Sequence, residues 1–224
     1  PGEPIILEET GIGLLADKER YVLRTSNEPL VITPEIRTVL EDPAPLIVAK
    51  STLRSRVHRR APADYVGVKR YNAAGEVVGE TRFVGLFASD AYTEATREVP
   101  LIRKKVAWVL LEAGFPLGGH KHKTLRNVLE TYPRDELWQV SKEELLRIAK
   151  GVMHLLDRPR ARAFNRRDPF NRFVTAIAYL PKDRFNSTLR EAVGRRLADA
   201  YGGGVEAYHT LLSDGPLARV FYVI

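Results

Sequence analysis

The spacing in this sequence that most resembles a metal site is His120 and His122, in the run GGHKH. A closed tetrahedral zinc site needs four ligands, most often drawn from Cys and His. The chain has no Cys, and His58, His154 and His209 are scattered singly. The pair therefore reads as solvated loop residues, and His154, beside an apolar helical stripe, as a structural histidine. Glu130, Asp135 and Glu136 in LETYPRDELWQ form the densest acidic group near aromatic residues. Acid–base catalysis would need one of them held protonated beside another kept ionised, both facing a pocket. They flank Tyr132-Pro133 with Arg134 among them, which reads as helix ends and an ion pair. Gly202-Gly203-Gly204 follows a helical pattern, whereas a dinucleotide loop follows a strand and opens a helix onto the pyrophosphate. Gly11-Ile12-Gly13 lacks the third glycine of such a loop. No catalytic, cofactor-binding or metal-binding residue is assigned from these patterns.

Charge is the other chemical signal. The chain carries a formal net charge of +7 and has a pI near 9.7. Its basic residues gather in Lys50 to Arg60 (KSTLRSRVHRR) and in Arg158 to Arg172 (RPRARAFNRRDPFNR). Either stretch would attract a phosphate backbone in a salt-dependent way. No zinc-finger spacing, glycine-rich nucleic-acid loop or aromatic stacking surface accompanies them, which weighs against a nucleic-acid module and leaves it as the alternative reading. Arginines also pair in bidentate fashion with carboxylates, so both stretches suit protein contacts equally well. Asp168 to Asn171 reads as a tight turn whose aspartate accepts backbone hydrogen bonds, crowded by Arg166, Arg167 and Arg172, with the possible role of docking a carboxylate-bearing surface.

The elements that must position these residues are most legible at the end of the chain. Residues 160–224 read as strand, strand, helix, strand, strand: ARAFNRR, FVTAIAYLP, NSTLREAVGRRLADAY, GVEAYHTLL and LARVFYVI. Each apolar run is bounded by a turn signal. The helix carries Leu189, Ala192, Val193, Leu197 and Ala200 on one stripe, with Thr188 and Glu191 fitting a capping box and the three glycines stopping it. A four-stranded antiparallel sheet under one helical layer follows.

Upstream, helices are expected over Glu98 to Ala113, ended by Gly114, over Thr124 to Thr131, stopped by Pro133, and from a Ser141/Glu144 capping box to Pro159. Trp138 is expected to plug the gap between helices and sheet through its buried area. Residues 1–90 read as short elements leading into an antiparallel sheet. Pro4 to Leu15 open with one apolar strand, a polar break and a second short apolar run, a short helix starts near Pro34, and Pro45 to Leu53 is a strand. A hairpin joins Asp64 to Tyr71 with Glu76 to Ala88 through Asn72 to Gly75. Gly67 and Gly85 inside strands suggest a bend or the close approach of a covering helix. Zero Cys suits a reducing compartment and excludes disulfides. No apolar run is long enough to cross a bilayer. The chain starts at Pro1 without a Met and ends inside FYVI, which predicts a piece of a longer protein.

Four stretches carry a resemblance: RSRVHRRAPADYVGVKRYNAAGEVVGETRFVGLFASDAY, VPLIRKKVAWVLLEAGF, LRNVLETYPRDELWQVS, and RPRARAFNRRDPFNRFVTAIAYLPKDRFNSTLR with GPLARVFYVI. Together they resemble the N-terminal regulatory region of the large bacterial NAD-specific glutamate dehydrogenases. The resemblance implies an α+β fold of antiparallel sheets with helices: a PAS-like domain over residues 1–90, a helical connector over 91–158 and an ACT-like, ferredoxin-like domain over 159–224. It implies a non-catalytic regulatory or oligomerisation role, and a catalytic module using NAD that lies elsewhere in the parent. The implied partners are the parent's other domains and subunits and an amino-acid effector, in the cytoplasm and away from any membrane. An ACT fold ordinarily has two helices, and only one is evident here, so the second helix or an edge element is expected beyond Ile224.

Overall fold

A computed structural model of the chain describes residues 7, 10–17, 34–55, 57, 61–212 and 215–224. They fall into two units, Pro1–Tyr92 and Thr93–Ile224. Of the opening strand, residues 4–6, 8 and 9 lie outside the described residues, and over the expected second short apolar run Gly13–Ala16 forms a single 3-10 turn. His58 and three arginines of the first basic stretch, Arg56, Arg59 and Arg60, also lie outside them.

The first unit is a three-stranded antiparallel meander, β1 (Leu46–Arg54), β2 (Pro62–Tyr71) and β3 (Val77–Gly85), preceded by helix α1 (Pro34–Glu41). The expected hairpin is present. Asn72 Oδ1 accepts from the amides of Ala74 at 3.0 Å and Glu76 at 2.9 Å, and Gly75 takes φ +80°. The Lys69 ammonium donates to the carbonyls of Val39 and Asp42, where the helix dipole favours a cation. Gly67 answers to its own sheet, not to a covering helix. The Tyr65 hydroxyl donates to Glu80 at 2.7 Å, Arg82 donates to the same carboxylate at 2.6 Å, and a Cβ on Gly67 would lie 2.6 Å from Glu80 Oε2. Nothing stands within 4 Å of a Cβ on Gly85, which simply ends its strand. Burial, reinforced by the negative charge of Glu80, holds the Tyr65 phenol well above its ordinary pKa.

The short helix α2 (Asp90–Thr93) spans the boundary between the units. The second unit then runs α3 (Ile102–Glu112), α4 (His120–Glu130), α5 (Arg134–Gln139), α6 (Lys142–Asp157), β4 (Arg162–Arg167), β5 (Val174–Pro181), α7 (Ser187–Tyr201), β6 (Ala207–Leu212) and β7 (Leu217–Val223). The last five elements are the expected strand, strand, helix, strand, strand. Their sheet is wholly antiparallel, in the order β4-β5-β7-β6.

Local details depart from expectation for identifiable reasons. Helix α3 starts four residues late because Val99 precedes a proline and Leu101 takes φ +65°. Helix α4 starts four residues early, at His120, after Gly118 at φ +75° reverses the loop and Gly119 takes the N-cap. Helix α6 is capped as expected, Ser141 Oγ accepting from the Glu144 amide at 3.1 Å. Helix α7 is capped by Asn186, whose Oδ1 accepts from the Leu189 amide at 2.8 Å, and not by Thr188. Asn ranks among the best caps and lies one residue before the helix begins. Gly202, at φ +68°, closes it, with the amides of Gly202 and Gly203 bonding back to Asp199 and Ala198.

Among the described residues of the second unit there are two apolar clusters, one on each face of the sheet. On one face Ala176, Ala178, Leu180, Val220 and Tyr222 meet Leu189, Val193 and Leu197 of α7. On the other, Phe164, Ile177, Tyr179 and Leu217 merge with Val106, Val109, Leu125, Leu129, Leu145, Ile148 and Val152 of the upstream helices. The face of the sheet turned away from α7 is therefore covered by the upstream helices α3 to α6. Continuous burial of Val174 to Leu180 follows from this two-sided cover.

Candidate functional site

The densest polar constellation of the second unit lies where α5 meets β4. Strand alternation puts Arg166 on the face of Phe164, toward the helices. Its guanidinium grips Glu136 in bidentate fashion, Nε to Oε2 at 2.7 Å and Nη2 to Oε1 at 2.8 Å, with Gln139 Oε1 a further acceptor at 3.3 Å. Both side chains are almost fully buried, Arg166 at 6% exposure and Glu136 at 3%. Burial pulls the Arg166 pKa down, but the hydrogen bonds and charge of Glu136 outweigh it and leave the guanidinium above its ordinary value.

Lys105 of α3 extends the node. Its ammonium donates to the carbonyls of Leu137 at 2.7 Å, Trp138 at 3.3 Å and Val140 at 2.6 Å, covering the C-terminal end of α5. Burial, then the positive charge of Arg166, lowers Lys105 to about 8 against the opposing charge of Glu136. Nearby, the Tyr132 phenol is raised well above its usual value by burial and then by Glu136. Two further contacts stitch helices to sheet. Arg219 of β7 donates to the Thr131 carbonyl, and the Phe164 ring lies so close to α6 that a Cβ on Gly151 would stand 2.7 Å from its Cε1.

At the β4–β5 turn, Asp168 Oδ2 accepts from the amides of Phe170 at 3.2 Å and Arg172 at 3.4 Å, as a turn aspartate should. Its carboxylate also takes Arg172 Nε at 2.7 Å and Nη2 at 3.0 Å. Two of the three arginines expected to face outward here are thus engaged within the chain, Arg166 at the node and Arg172 at the turn. Arg167 remains exposed, 3.2 Å from Asn171 Oδ1. In the first unit Lys50 pairs with Asp64 at 2.5 Å. These internal pairs reduce the positive surface that either basic stretch offers to a polyanion.

The carboxylates of LETYPRDELWQ do not converge. Glu130 accepts from the Thr96 amide at 3.0 Å and its hydroxyl at 2.7 Å, and lies 3.7 Å from Arg134, while Glu136 turns inward to Arg166. His122 is not a loop residue. It sits in α4, buried, with Nδ1 lacking a hydrogen-bond partner. His154 is exposed, because it falls on the solvent side of the α6 stripe. Trp138 is half-buried against the helical core. Among the described residues there is no group of three or more side chains suited to hold a metal, and no helix long and apolar enough to cross a membrane.

Two consecutive family models match the second unit. One, described as "Glutamate dehydrogenase, helical motif 1", covers residues 99–158; the other, "Glutamate dehydrogenase, ACT2 domain", covers residues 162–224. The chain is also 38% identical over 176 residues to the NAD-specific glutamate dehydrogenase of Halomonas elongata, spanning 79% of this chain and 11% of that protein. The NAD-specific glutamate dehydrogenase of Pseudomonas aeruginosa is 36% identical over 199 residues, 89% of this chain and 12% of that one. That of Mycobacterium tuberculosis is 30% identical over 184 residues, 82% and 11% respectively. The chain is a homologue of a segment of the bacterial NAD-specific glutamate dehydrogenases. Its second unit corresponds to their regulatory, ACT-like region, and it spans about a ninth of the length of these relatives.

The Glu136–Arg166 pair gains meaning from that division. Glu136 belongs to the helical motif and Arg166 to the ACT2 domain, so the buried pair joins two separately recognised glutamate dehydrogenase segments. Arg219 with Thr131 and Phe164 with Gly151 cross the same seam. Reading by sequence missed the pair because its members are thirty positions apart. The available signal was phase: Arg166 shares the inward parity of Phe164.

Proposed function

We propose that this chain is a non-catalytic regulatory and oligomerisation portion of an NAD-dependent glutamate dehydrogenase. The observation that carries this reading is the seam itself, where helical-motif and ACT2 segments share one core and a buried ion pair. In this reading the parent oxidises L-glutamate with NAD and water to 2-oxoglutarate, ammonium and NADH, and the reacting groups and cofactor site belong to another part of it. Residues 1–90 form a PAS-like domain, 91–158 a helical connector and 159–224 an ACT-like domain. The partners are the parent's other domains and subunits, together with an amino-acid effector, in the cytoplasm. A seam that resists shear would let an event at the ACT-like sheet reach the helices as a rigid displacement.

Two measurements test the proposal. The purified chain should form no NADH from glutamate and NAD at any concentration, and turnover by the chain alone would overturn the non-catalytic assignment. Calorimetric titration with amino acids should show binding at millimolar ligand or below. Absence of heat across the common amino acids would remove the sensor role and leave the scaffold role.

A further inference from the structure

Helix α3 and the start of α6 border an open depression of about 310 Å³. Among the described residues it is lined by Lys104, Lys105 and Trp108 of α3 and by Lys142, the first residue of α6. Lys104 and Trp108 stand four positions apart and so share a face of their helix. The Lys142 ammonium lies 4.7 Å from the centroid of the Trp108 ring, which brings cations from both helices to one opening. No carboxylate is among the lining residues. Glu143 approaches Lys142 to 3.8 Å, but Lys142 and Glu143 are 48% and 65% exposed, so water screens that pair. The fold adds further positive potential. Lys142 occupies the first turn of a helix of 16 residues, the end at which the dipole disfavours a cation. At Lys105, after burial, the positive charge of Arg166 outweighs the opposing charge of Glu136. The lining side chains can donate hydrogen bonds but not accept them, which suits an occupant built of acceptors. The volume falls at the low end of small-molecule sites, roughly 300–1,000 Å³.

We propose that this depression binds a small polyanion with at least two adjacent phosphate or carboxylate groups, gripped by the Lys104 and Lys142 ammoniums with its body against Trp108. Lys105 contributes through its charge, because its ammonium is already engaged with the carbonyls ending α5. A polyanion relieves the repulsion among the three lysines, and a single anionic group cannot reach both helices' cations as well as two can. The site lies in the helical motif and not on the ACT-like sheet, so it is distinct from the amino-acid effector of the reading above and does not depend on it. It has a structural consequence as well. An anion here favours the charged form of Lys105, which is the form that covers the end of α5, and α5 carries Glu136 of the buried pair. Occupancy is thereby tied to the seam.

Calorimetric titration of the 224-residue chain with pyrophosphate and with tricarballylate tests this and tells the two chemistries apart. At least one should bind with a Kd below about 1 mM at about 50 mM salt, and its affinity should fall severalfold by about 300 mM salt, as charge-driven contacts do. Orthophosphate should bind more weakly than pyrophosphate. Lys104→Ala and Lys142→Ala, both at exposed positions, should each weaken binding at least about fivefold, since each removes a charge-assisted hydrogen bond. Arg103→Ala removes the same charge from an exposed position of α3 that does not line the depression, and should leave the affinity within about twofold. Far-UV circular dichroism should show all three variants folded. Absence of binding by both anions up to about 10 mM overturns the proposal. So does an Arg103→Ala loss as large as those of the lysine variants, which would mean attraction to the net charge of +7 and not to this site. A polyglutamate peptide that binds at least about tenfold more tightly than both small anions would assign the surface to an acidic protein partner and overturn the small-molecule proposal. Each of these failures leaves the amino-acid titration and the test for NADH formation standing.

Discussion

Replacing Glu136 with Met should be among the most damaging single changes in the second unit. The side chain is 3% exposed and accepts two charge-assisted hydrogen bonds from Arg166, itself 6% exposed. Removing it leaves a buried guanidinium with Gln139 Oε1 at 3.3 Å and the Arg167 carbonyl at 3.4 Å as remaining acceptors. An uncompensated buried charge of this kind costs about 3–5 kcal/mol, and the residual acceptors favour the lower end of that range. Removing both partners, in Glu136→Met/Arg166→Met, takes the charge away with its counter-charge and should cost about 1 kcal/mol or less. The assay is urea unfolding followed by tryptophan fluorescence. The chain's two tryptophans, Trp108 and Trp138, both lie in the second unit, so the signal reports that unit. With a slope of roughly 2 kcal/mol per M, the single variant should lower the midpoint by about 1.5–2 M. A single variant costing under about 1 kcal/mol, or a double variant costing the sum of its parts, would refute the claim that the seam depends on this pair.

Three further outcomes are expected. Gly151→Ala should lose about 1–3 kcal/mol of stability despite alanine's better helix propensity, because its Cβ would stand 2.7 Å from the Phe164 ring; an equally stable variant in the same urea melts would contradict the close packing of α6 on β4. Asn186→Ala should cost about 1 kcal/mol and Thr188→Ala close to nothing, reversing the ranking suggested by a Thr188/Glu191 capping box. Lys105 is lowered in the folded chain to about 8 from an ordinary 10.5, so the folded state releases its proton before the unfolded state does. Stability should therefore be flat in this contribution below pH 8 and rise by about 1 kcal/mol per pH unit from there toward 10.5, a slope that Lys105→Met should abolish.

The C-terminal sheet was legible because every signal there is local. Asn72 to Gly75 in the first unit and Gly202 in the second announce their turns by residue type, and Leu189, Val193 and Leu197 reveal their helix by spacing. The boundaries that slipped did so where two adjacent signals competed. Asn186 and Thr188 are both good caps, and the choice between them depends on where Pro181 to Arg184 release the chain. At Gly118-Gly119 the glycines mark a loop, and nothing local shows that HKHK already belongs to the following helix. The candidate site was least legible, because it is made of residues whose types usually mean solvent. Glu136 and Arg166 look like surface charges in isolation, and only the packing of α5 against the Phe164 face of β4 buries them together. Lys105 likewise sits among Arg103 and Lys104 in sequence, yet it turns inward to the carbonyls ending α5.

The two faces of the C-terminal sheet are held by different physics. The face toward the helices combines a large mixed core with directional contacts, Arg166 to Glu136, Arg219 to Thr131 and the Phe164 ring against Gly151. Directional contacts of this kind fix one relative placement, since a shift of about 1 Å breaks bidentate geometry while it barely alters apolar burial. The face toward α7 rests on small side chains, Ala176, Ala178 and Val220, and on Gly194, which lets the Tyr222 ring approach to 3.1 Å of its Cβ position. Three hydrogen bonds cross that face as well: the Tyr222 hydroxyl donates to the Arg190 carbonyl at 2.7 Å, Arg190 donates to the Tyr208 hydroxyl at 2.8 Å, and Asn165 Nδ2 donates to the Tyr201 hydroxyl at 2.7 Å. None of these is a buried ion pair, so the face toward the helices is the one whose disruption would leave a buried charge without its counter-charge.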